Sequence, residues 1–408
     1  MSDKSQKFAQ YDHPAQMEPL LPAEHRLGPL LEKANDLIRA SDQLAGKCQV
    51  GALEGLRGLL RAMNSYYTNR IEGQHTLPVE IEQALRNEYA ANADQARKQR
   101  LALSHMASEQ ALEQLWPQWT PQDVWSVAMV QNIHQDLFAR LDAADRLLPD
   151  GQALEPGALR TQEVSVGRHA APLAAAVPQF LSRWGSYYAH VRRGEMQVLA
   201  IAASHHRLAW IHPFADGNGR VARLHTHLAM GQMGLTNGLW SPLRAFARST
   251  PDYYALLDAA DQARAGDLDG RGNLSEKALC DWLDYVLTQS LDQVRFMSGL
   301  LNLSTMRDRI AACLSFEQNV VRSGVRTEAL AALHYLFATQ GALERADFKA
   351  MLGLGERSAT DALGALVKRG LLKSDSPQGK VRFGLPQHAL RFMFPQLWPE
   401  AEADSVND

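Results

Sequence analysis

The chain has 408 residues, 46% hydrophobic and 21% charged, with 42 Lys and Arg against 45 Asp and Glu. That length supports two or three domains with sizeable cores, and a formal net charge of −3 argues against a protein that coats nucleic acid over its whole surface. Cys48, Cys280 and Cys313 are far apart without metal-ligand spacing and read as reduced, mostly buried thiols. No run is long enough to cross a bilayer and the N-terminus lacks an apolar signal region, so the expectation is a cytoplasmic protein with no membrane role.

Residues 1–24 are polar and spotted with proline, which predicts a poorly ordered arm. Residues 30–44 have helical spacing. Apolar residues at that spacing return over 52–63, continue to Glu72 and stop at Gly73, a natural helix C-cap. Glu72 then faces the negative end of the helix dipole, as a solvated carboxylate or as the partner of a cation elsewhere. Residues 77–85, 91–115 and 121–141 read as further helices. Thr120-Pro121-Gln122-Asp123 supplies a capping hydroxyl, a first-turn proline and an acid. His134, in an apolar helical context, reads as a core histidine. Residues 157–167 are extended, with Val164 and Val166 alternating around Ser165, the pattern of a surface hairpin.

A buried helix is expected from Glu195 through Trp210. Pro213 disfavours helical geometry at His212, so the helix ends there and presents His212 at its edge. Phe214 should pin the following loop in the core. Gly217 and Gly219 let the backbone approach a ligand or take positive φ. The next helix buries Val221, Leu224 and Leu228. Its start offers free N–H groups and a partial positive charge, with Arg220 and Arg223 on one face. Arginine forks match phosphate oxygens, Asp216 suits Mg²⁺ shared with phosphates, and His212 is suited to accept a hydroxyl proton. The adjacent His205 and His206 point to different sides of their helix, which argues against a metal pair.

Trp240-Ser241-Pro242 opens a loop, followed by Tyr253 and Tyr254. Residues 267–275 have acids at the first and third positions of a calcium loop and a glycine at the sixth, but Ala278 stands where the bidentate glutamate belongs. The better reading is a turn into a helix over 276–291 capped by Ser275. From about residue 300 the pattern is helical over 327–340, 345–352 and 358–371, with a turn-centred segment at 373–383. That order is similar to a winged helix. Arg357, Lys368, Arg369, Lys373, Lys380 and Arg382 supply positive charge there, interleaved with Glu356, Asp361 and Asp375. DNA is one expected partner of this domain, and protein binding or dimerisation the other.

The run His212-Pro213-Phe214-Ala215-Asp216-Gly217-Asn218-Gly219-Arg220-Val221-Ala222-Arg223 resembles the signature of the Fic family at every specified position. The resemblance implies a mainly α protein. It would have an N-terminal helical region with an inhibitory helix (1–115), a helical Fic core with a short β-hairpin flap (116–299) and a winged-helix-like domain (300–399). The acidic tail 400–408 should be disordered. The activity implied is autoinhibited transfer of AMP from ATP, with Mg²⁺, to a Ser, Thr or Tyr hydroxyl of a target protein or of the chain itself. By that analogy His212 is the general base and Asp216 binds Mg²⁺. Gly217, Asn218 and Gly219 cradle phosphates, Arg220 binds them, and Arg223 holds the γ-phosphate. Tyr253 or Tyr254 meets the base.

Thr68, Glu72 and Gly73 are similar to the inhibitory motif of N-terminally regulated members, in which the glutamate pairs with the second signature arginine, here Arg223. Thr161, Gln162, Glu163, Val164, Ser165 and Val166 resemble the family's flap, which docks an extended target segment by strand addition. The chain departs from many members at Leu208 and Ala209, where phenylalanine and glutamate are common. The competing expectations are removal of AMP at the same site and a DNA-binding regulator with a nucleotide-sensing Fic core. A homodimer is compatible with the sequence. A P-loop kinase is disfavoured, because no Gly-x-x-x-x-Gly-Lys-Ser/Thr occurs.

Overall fold

The computed structural model describes residues 11–46, 50–148, 150–167, 169–339 and 341–395, so Cys48 and the tail at 400–408 lie outside the described residues. In chain order come α1 (Glu24–Gly46), α2 (Val50–Ile71), α3 (Pro78–Leu85), α4 (Ala93–Glu113), α5 (Pro121–Val124) and α6 (Val127–Ala139). Then follow the hairpin β1 (Ser165–Val166) and β2 (His169–Ala170), α7 (Val177–Tyr188), α8 (Glu195–Ile211), α9 (Asn218–Gln232), α10 (Leu243–Arg248), α11 (Thr250–Ala260) and α12 (Glu276–Leu300). The remainder is α13 (Leu303–Phe316), α14 (Leu330–Thr339), β3 (Ala342–Leu343), α15 (Arg345–Leu352), α16 (Glu356–Lys368), β4 (Leu372–Ser374), β5 (Val381–Phe383) and α17 (Leu390–Met393). The protein is mainly helical, with one two-stranded and one three-stranded sheet among the described residues.

The described chain divides into two compact units. The first comprises Met1–Ala40, Arg61–Asn237 and Ser241–Gln293. Its centre is α8 packed on α9. Almost every residue of α8 from Gln197 to Leu208 is buried, so the helix carries no polar stripe and belongs inside a core. Trp184 and Trp282, both fully buried, donate their indole N–H groups to the carbonyls of Ser204 and Ala202 on α8. Each satisfies its one polar atom while removing a large ring from water, a burial worth about 4 kcal/mol at ~25 cal/mol per Å².

Two expectations need correction in this unit. The helix expected over 121–141 is two helices, because Ser126 caps a new one, its Oγ accepting from Met129 N at 3.0 Å, while Trp125 turns into the core. Residues 11–24 are not a loose arm. Met17 and Leu20 are buried, the Leu20 carbonyl accepts from Tyr188 Oη at 2.8 Å, and the Pro19 carbonyl accepts from Arg207 Nη2 at 2.7 Å. Polar composition concealed a few apolar anchors.

The second unit comprises Ser41–Leu60, Gly238–Trp240 and Val294–Asp408. Its sheet has the order β3-β5-β4, all antiparallel, with Leu343 opposite Val381 and Leu372 opposite Phe383. Helix, strand, two helices and two strands follow one another from α14 to β5. Of the six cations noted here in the sequence, three are ion-paired: Arg369 with Glu317, Lys380 with Glu344 and Arg382 with Asp375. The positive face the sequence offered is thereby partly neutralised within the unit.

Candidate active site

α8 ends at Ile211. His212 follows in the left-handed region (φ 50°, ψ 61°), its N–H still donating to the Leu208 carbonyl at 3.2 Å. A histidine with positive φ is uncommon, and several contacts hold it there. Arg160, itself buried, donates from Nε to the His212 carbonyl at 2.7 Å, from Nη1 to Gln162 O at 2.9 Å and from Nη2 to Pro172 O. The Arg160 backbone N–H also donates to Pro213 O at 2.9 Å. Burial, then the nearby Arg160 charge, push the His212 imidazole down to about 4, so it is neutral near pH 7.

The loop after His212 is tied from both sides. Phe214 is fully buried and stacks on His134 with ring centroids 3.9 Å apart. Gly157 N–H donates to His134 Nδ1 at 2.8 Å, so His134 carries its proton on Nε2 and donates it to Asp216 O at 3.3 Å. The core histidine expected from the sequence is thus a strut of this loop. The Asn218 side chain accepts from Phe214 N at 2.9 Å and donates to Phe214 O at 2.8 Å. Gly217 has φ 81°, and a Cβ there would stand 2.5 Å from the Phe138 ring. Its N–H donates to Asp216 Oδ1 at 2.6 Å. The half-exposed Asp216 carboxylate also lies 3.3 Å from Arg220 Nη2, and the Arg220 guanidinium sits 4.9 Å from the centre of the Phe138 ring.

α9 begins at Asn218, where its first N–H groups face outward from the helix end. A carboxylate oxygen lies beside this first turn. Glu72 Oε1 is ion-paired with Arg223 Nη2 and lies where a side chain on Gly219 would project. Arg223 Nε donates to Thr68 Oγ1 at 2.8 Å and Nη2 reaches Thr68 O at 3.4 Å. Arg223 and Thr68 are buried, whereas the Glu72 side chain keeps 28% of its surface exposed. Burial alone would raise the Glu72 carboxyl, but Arg223 and Arg220 outweigh it and hold it below the usual carboxylate range. Glu72 takes this position because α2 ends on Gly73 (φ 70°) in a Schellman cap: Gln74 N donates to Asn69 O at 2.8 Å and Gly73 N to Arg70 O at 3.0 Å. Tyr254 Oη donates to Ile71 O at 3.0 Å, fastening the same turn.

A cavity of about 330 Å³ opens at this point. Its lining includes Glu72, His212, Asn218, Gly219, Arg223, Tyr253, Tyr254 and Val166. Thr68, Gly73, Asp216, Gly217, Arg220 and residues 161–165 lie outside that lining, as supports or rim. Tyr253 is buried. Its hydroxyl donates to His205 Nε2 at 2.9 Å, and His205 Nδ1 donates to Thr226 Oγ1 at 2.7 Å, which in turn donates to Ala222 O at 2.8 Å. The extended segment is a strand only over Ser165–Val166, paired with His169–Ala170.

Residues 124–230 match the model of the Fic/DOC family. The chain carries a Fic domain. It is 30% identical over 124 residues to protein adenylyltransferase Fic of Nematostella vectensis, and 32% identical over 131 residues to protein adenylyltransferase fic-1 of Caenorhabditis elegans. Those alignments take in 30% and 31% of this chain but only 27% and 24% of the relatives, so the chain spans about a quarter of their length. A Fic family protein of known structure from Desulfovibrio desulfuricans covers 90% of this chain and 99% of its own, at a TM-score of 0.53 and 19% identity. The Fic-1 structure from C. elegans covers 67% of this chain and 72% of its own, at 0.50 and 19%. At such identity these structures establish the fold alone.

The structure also brings to the site residues to which the sequence assigned no role. His169 and Asp258 line the cavity, and His169 donates from Nε2 to Trp210 O at 2.8 Å. Tyr11 packs at a tilt of 57° against Trp210 with ring centroids 4.8 Å apart. His206 reaches Asp261, another lining residue, at 2.9 Å, while His205 faces Thr226, so the adjacent pair diverges as its helical spacing predicts. Arg160 was visible in the sequence only as part of the extended stretch 157–167. Its guanidinium, spread over three carbonyls, is the main brace of the His212 backbone.

Proposed function

We propose that this protein is an adenylyltransferase that moves AMP from ATP to a Ser, Thr or Tyr hydroxyl of a target protein or of itself, and that Glu72 restrains it. The observation that carries this reading is the Glu72 carboxylate lodged against Arg223 at the start of α9, in a cavity shared with His212. A buried arginine beside free helix N–H groups is an anion site, and here an internal carboxylate fills it. The names of the curated relatives support AMP transfer as the reaction.

In this reading the target hydroxyl oxygen attacks the α-phosphorus of ATP. An oxygen–phosphorus bond forms, the bond from the α-phosphorus to the α–β bridging oxygen breaks, and pyrophosphate leaves. His212, neutral when free, accepts the hydroxyl proton. The anionic phosphates raise its basicity as they bind. Asn218 holds the loop so that the α9 start and the side chains of Arg220 and Arg223 face the phosphates. Asp216, a half-exposed carboxylate at that helix start, fits Mg²⁺, which would neutralise phosphate charge there. Tyr253 and Tyr254 form the wall for the base. Residues 161–166, almost wholly exposed, receive the target backbone.

Removal of AMP by the same residues is the second reading. It is favoured by the Glu72 carboxylate facing a cavity that also holds His212, where it is placed to orient a water. The deciding experiment incubates wild type and His212→Ala with ATP labelled on the α-phosphate and a cell lysate. Label on protein that disappears in His212→Ala supports transfer. Label that persists in His212→Ala overturns the assignment of the base.

A further inference from the structure

Away from the nucleotide cavity, α2, α4 and α9 enclose a second set of ionisable side chains. Glu109 and Glu113 lie one turn apart on α4, and His227 lies one turn beyond Arg223 on α9. Glu109 is 1% exposed, His227 3% and the Glu113 side chain 7%. His227 Nε2 stands 3.0 Å from Glu113 Oε1 and 3.5 Å from Glu109 Oε1, and the three ligand atoms all fall within 4.8 Å of one another. In a tetrahedral zinc site, ligand bonds of about 2.0–2.2 Å place neighbouring ligand atoms roughly 3.3–3.6 Å apart.

Two further observations point to a cation. His105, one turn before Glu109 and 1% exposed, has Nδ1 3.7 Å from Glu109 Oε2. Among the described residues, neither His105 ring nitrogen nor Glu109 Oε2 has a hydrogen-bond partner. Buried polar atoms seldom go unsatisfied, and a ring nitrogen aimed at a carboxylate edge is a ready fourth donor. Charge gives the second. Arg61 donates from Nε to Glu113 Oε2 at 2.7 Å and its Nη2 lies 2.6 Å from the same oxygen, which leaves Oε1 free towards His227. Asn64 Nδ2 steadies Glu109 Oε1 at 2.8 Å. Two carboxylates against one guanidinium leave one buried negative charge over, which either a bound cation or a proton on Glu109 or His227 must balance.

We infer that Glu109, Glu113 and His227, with His105 beside them, bind one divalent transition-metal ion of the zinc type that ties α4 to α9. One or two imidazoles with two carboxylates suit such an ion, whereas Ca²⁺ or Mg²⁺ would call for a larger oxygen shell. The site shares no residue with the proposed nucleotide machinery. Its effect there is mechanical: it fixes α9 one turn below Arg223.

The test uses the tag-free full chain, stripped with a chelator. Zn²⁺ is titrated by calorimetry, and Co²⁺ by visible absorption, in wild type, Asp216→Ala, Glu109→Gln and His227→Gln. The expected result is one ion per chain in wild type and Asp216→Ala, with ligand-field bands of a low-coordinate site and a rise in Tm. Affinity should fall about tenfold or more in Glu109→Gln and His227→Gln. The wild-type titration stands on its own if a variant fails to fold. Wild type that takes up neither ion, or that binds no better than both variants, overturns the proposal and assigns the missing positive charge to a proton on His227.

Discussion

Glu72→Gly separates two consequences of the carboxylate at the α9 start. Arg223 is 1% exposed and would lose its ionic partner while keeping its neutral partners Thr68 and Tyr253. A charge-assisted hydrogen bond is worth roughly 1.5–3 kcal/mol, and the partial exposure of Glu72 places this one at about 2 kcal/mol. The empty protein should therefore lose about 2 kcal/mol of stability. For a unit of this size that lowers Tm by about 4–8 °C. ATP, in contrast, no longer has to displace a carboxylate from Arg223. The same ~2 kcal/mol then appears as roughly 25-fold tighter binding, at 1.4 kcal/mol per tenfold. Calorimetric titration with Mg²⁺ and a non-hydrolysable ATP analogue measures the second effect, and thermal unfolding with and without nucleotide the first. Saturating nucleotide should return the variant to the wild-type Tm or above it. A variant that loses stability yet binds nucleotide no more tightly would show that the ion pair is architectural and refute its role as competitor.

His212 is pushed down to about 4 by burial and Arg160, so kcat/KM should keep its base form down to about pH 5. An acid limb centred near 6.5 in a pH–rate profile would contradict that. The same depression has a stability cost of definite sign. Below about pH 6.5 the unfolded chain binds a proton that the folded chain refuses, so this group's contribution falls as pH drops from 6.5 towards 4. Gly217→Ala places a Cβ against Phe138 at φ 81°, and urea unfolding should register a loss of about 2–4 kcal/mol. A neutral result would mean the loop relaxes freely. Prolines at Gln162 and Val164 should cut label transfer to a target while sparing ATP binding; unchanged transfer would remove the flap from target docking.

The signature loop was legible because its physics is local. Pro213 ends α8, Gly217 takes the positive φ, and Phe214 is buried. The end of α2 at Gly73 was legible for the same reason. The partner of Glu72 was not. Its pairing with Arg223 joins residues 151 positions apart, and chain physics left a solvated carboxylate and an ion pair both open until the family resemblance suggested one. Long separation also hid Arg160, 52 residues from His212, and the packing of Tyr11 on Trp210. The buried Glu109–His227 set escaped notice because its members, 118 positions apart, follow no metal-ligand spacing.

The most direct measurement of the central claim compares ATP labelled on the α-phosphate with ATP labelled on the γ-phosphate. Wild type, Glu72→Gly and Glu72→Gly/His212→Ala are each incubated with Mg²⁺ and lysate. The account predicts label on protein from the α-phosphate alone, faint in wild type, strong in Glu72→Gly and lost in the double variant. Label from the γ-phosphate, or α-label undiminished by loss of His212, would contradict it.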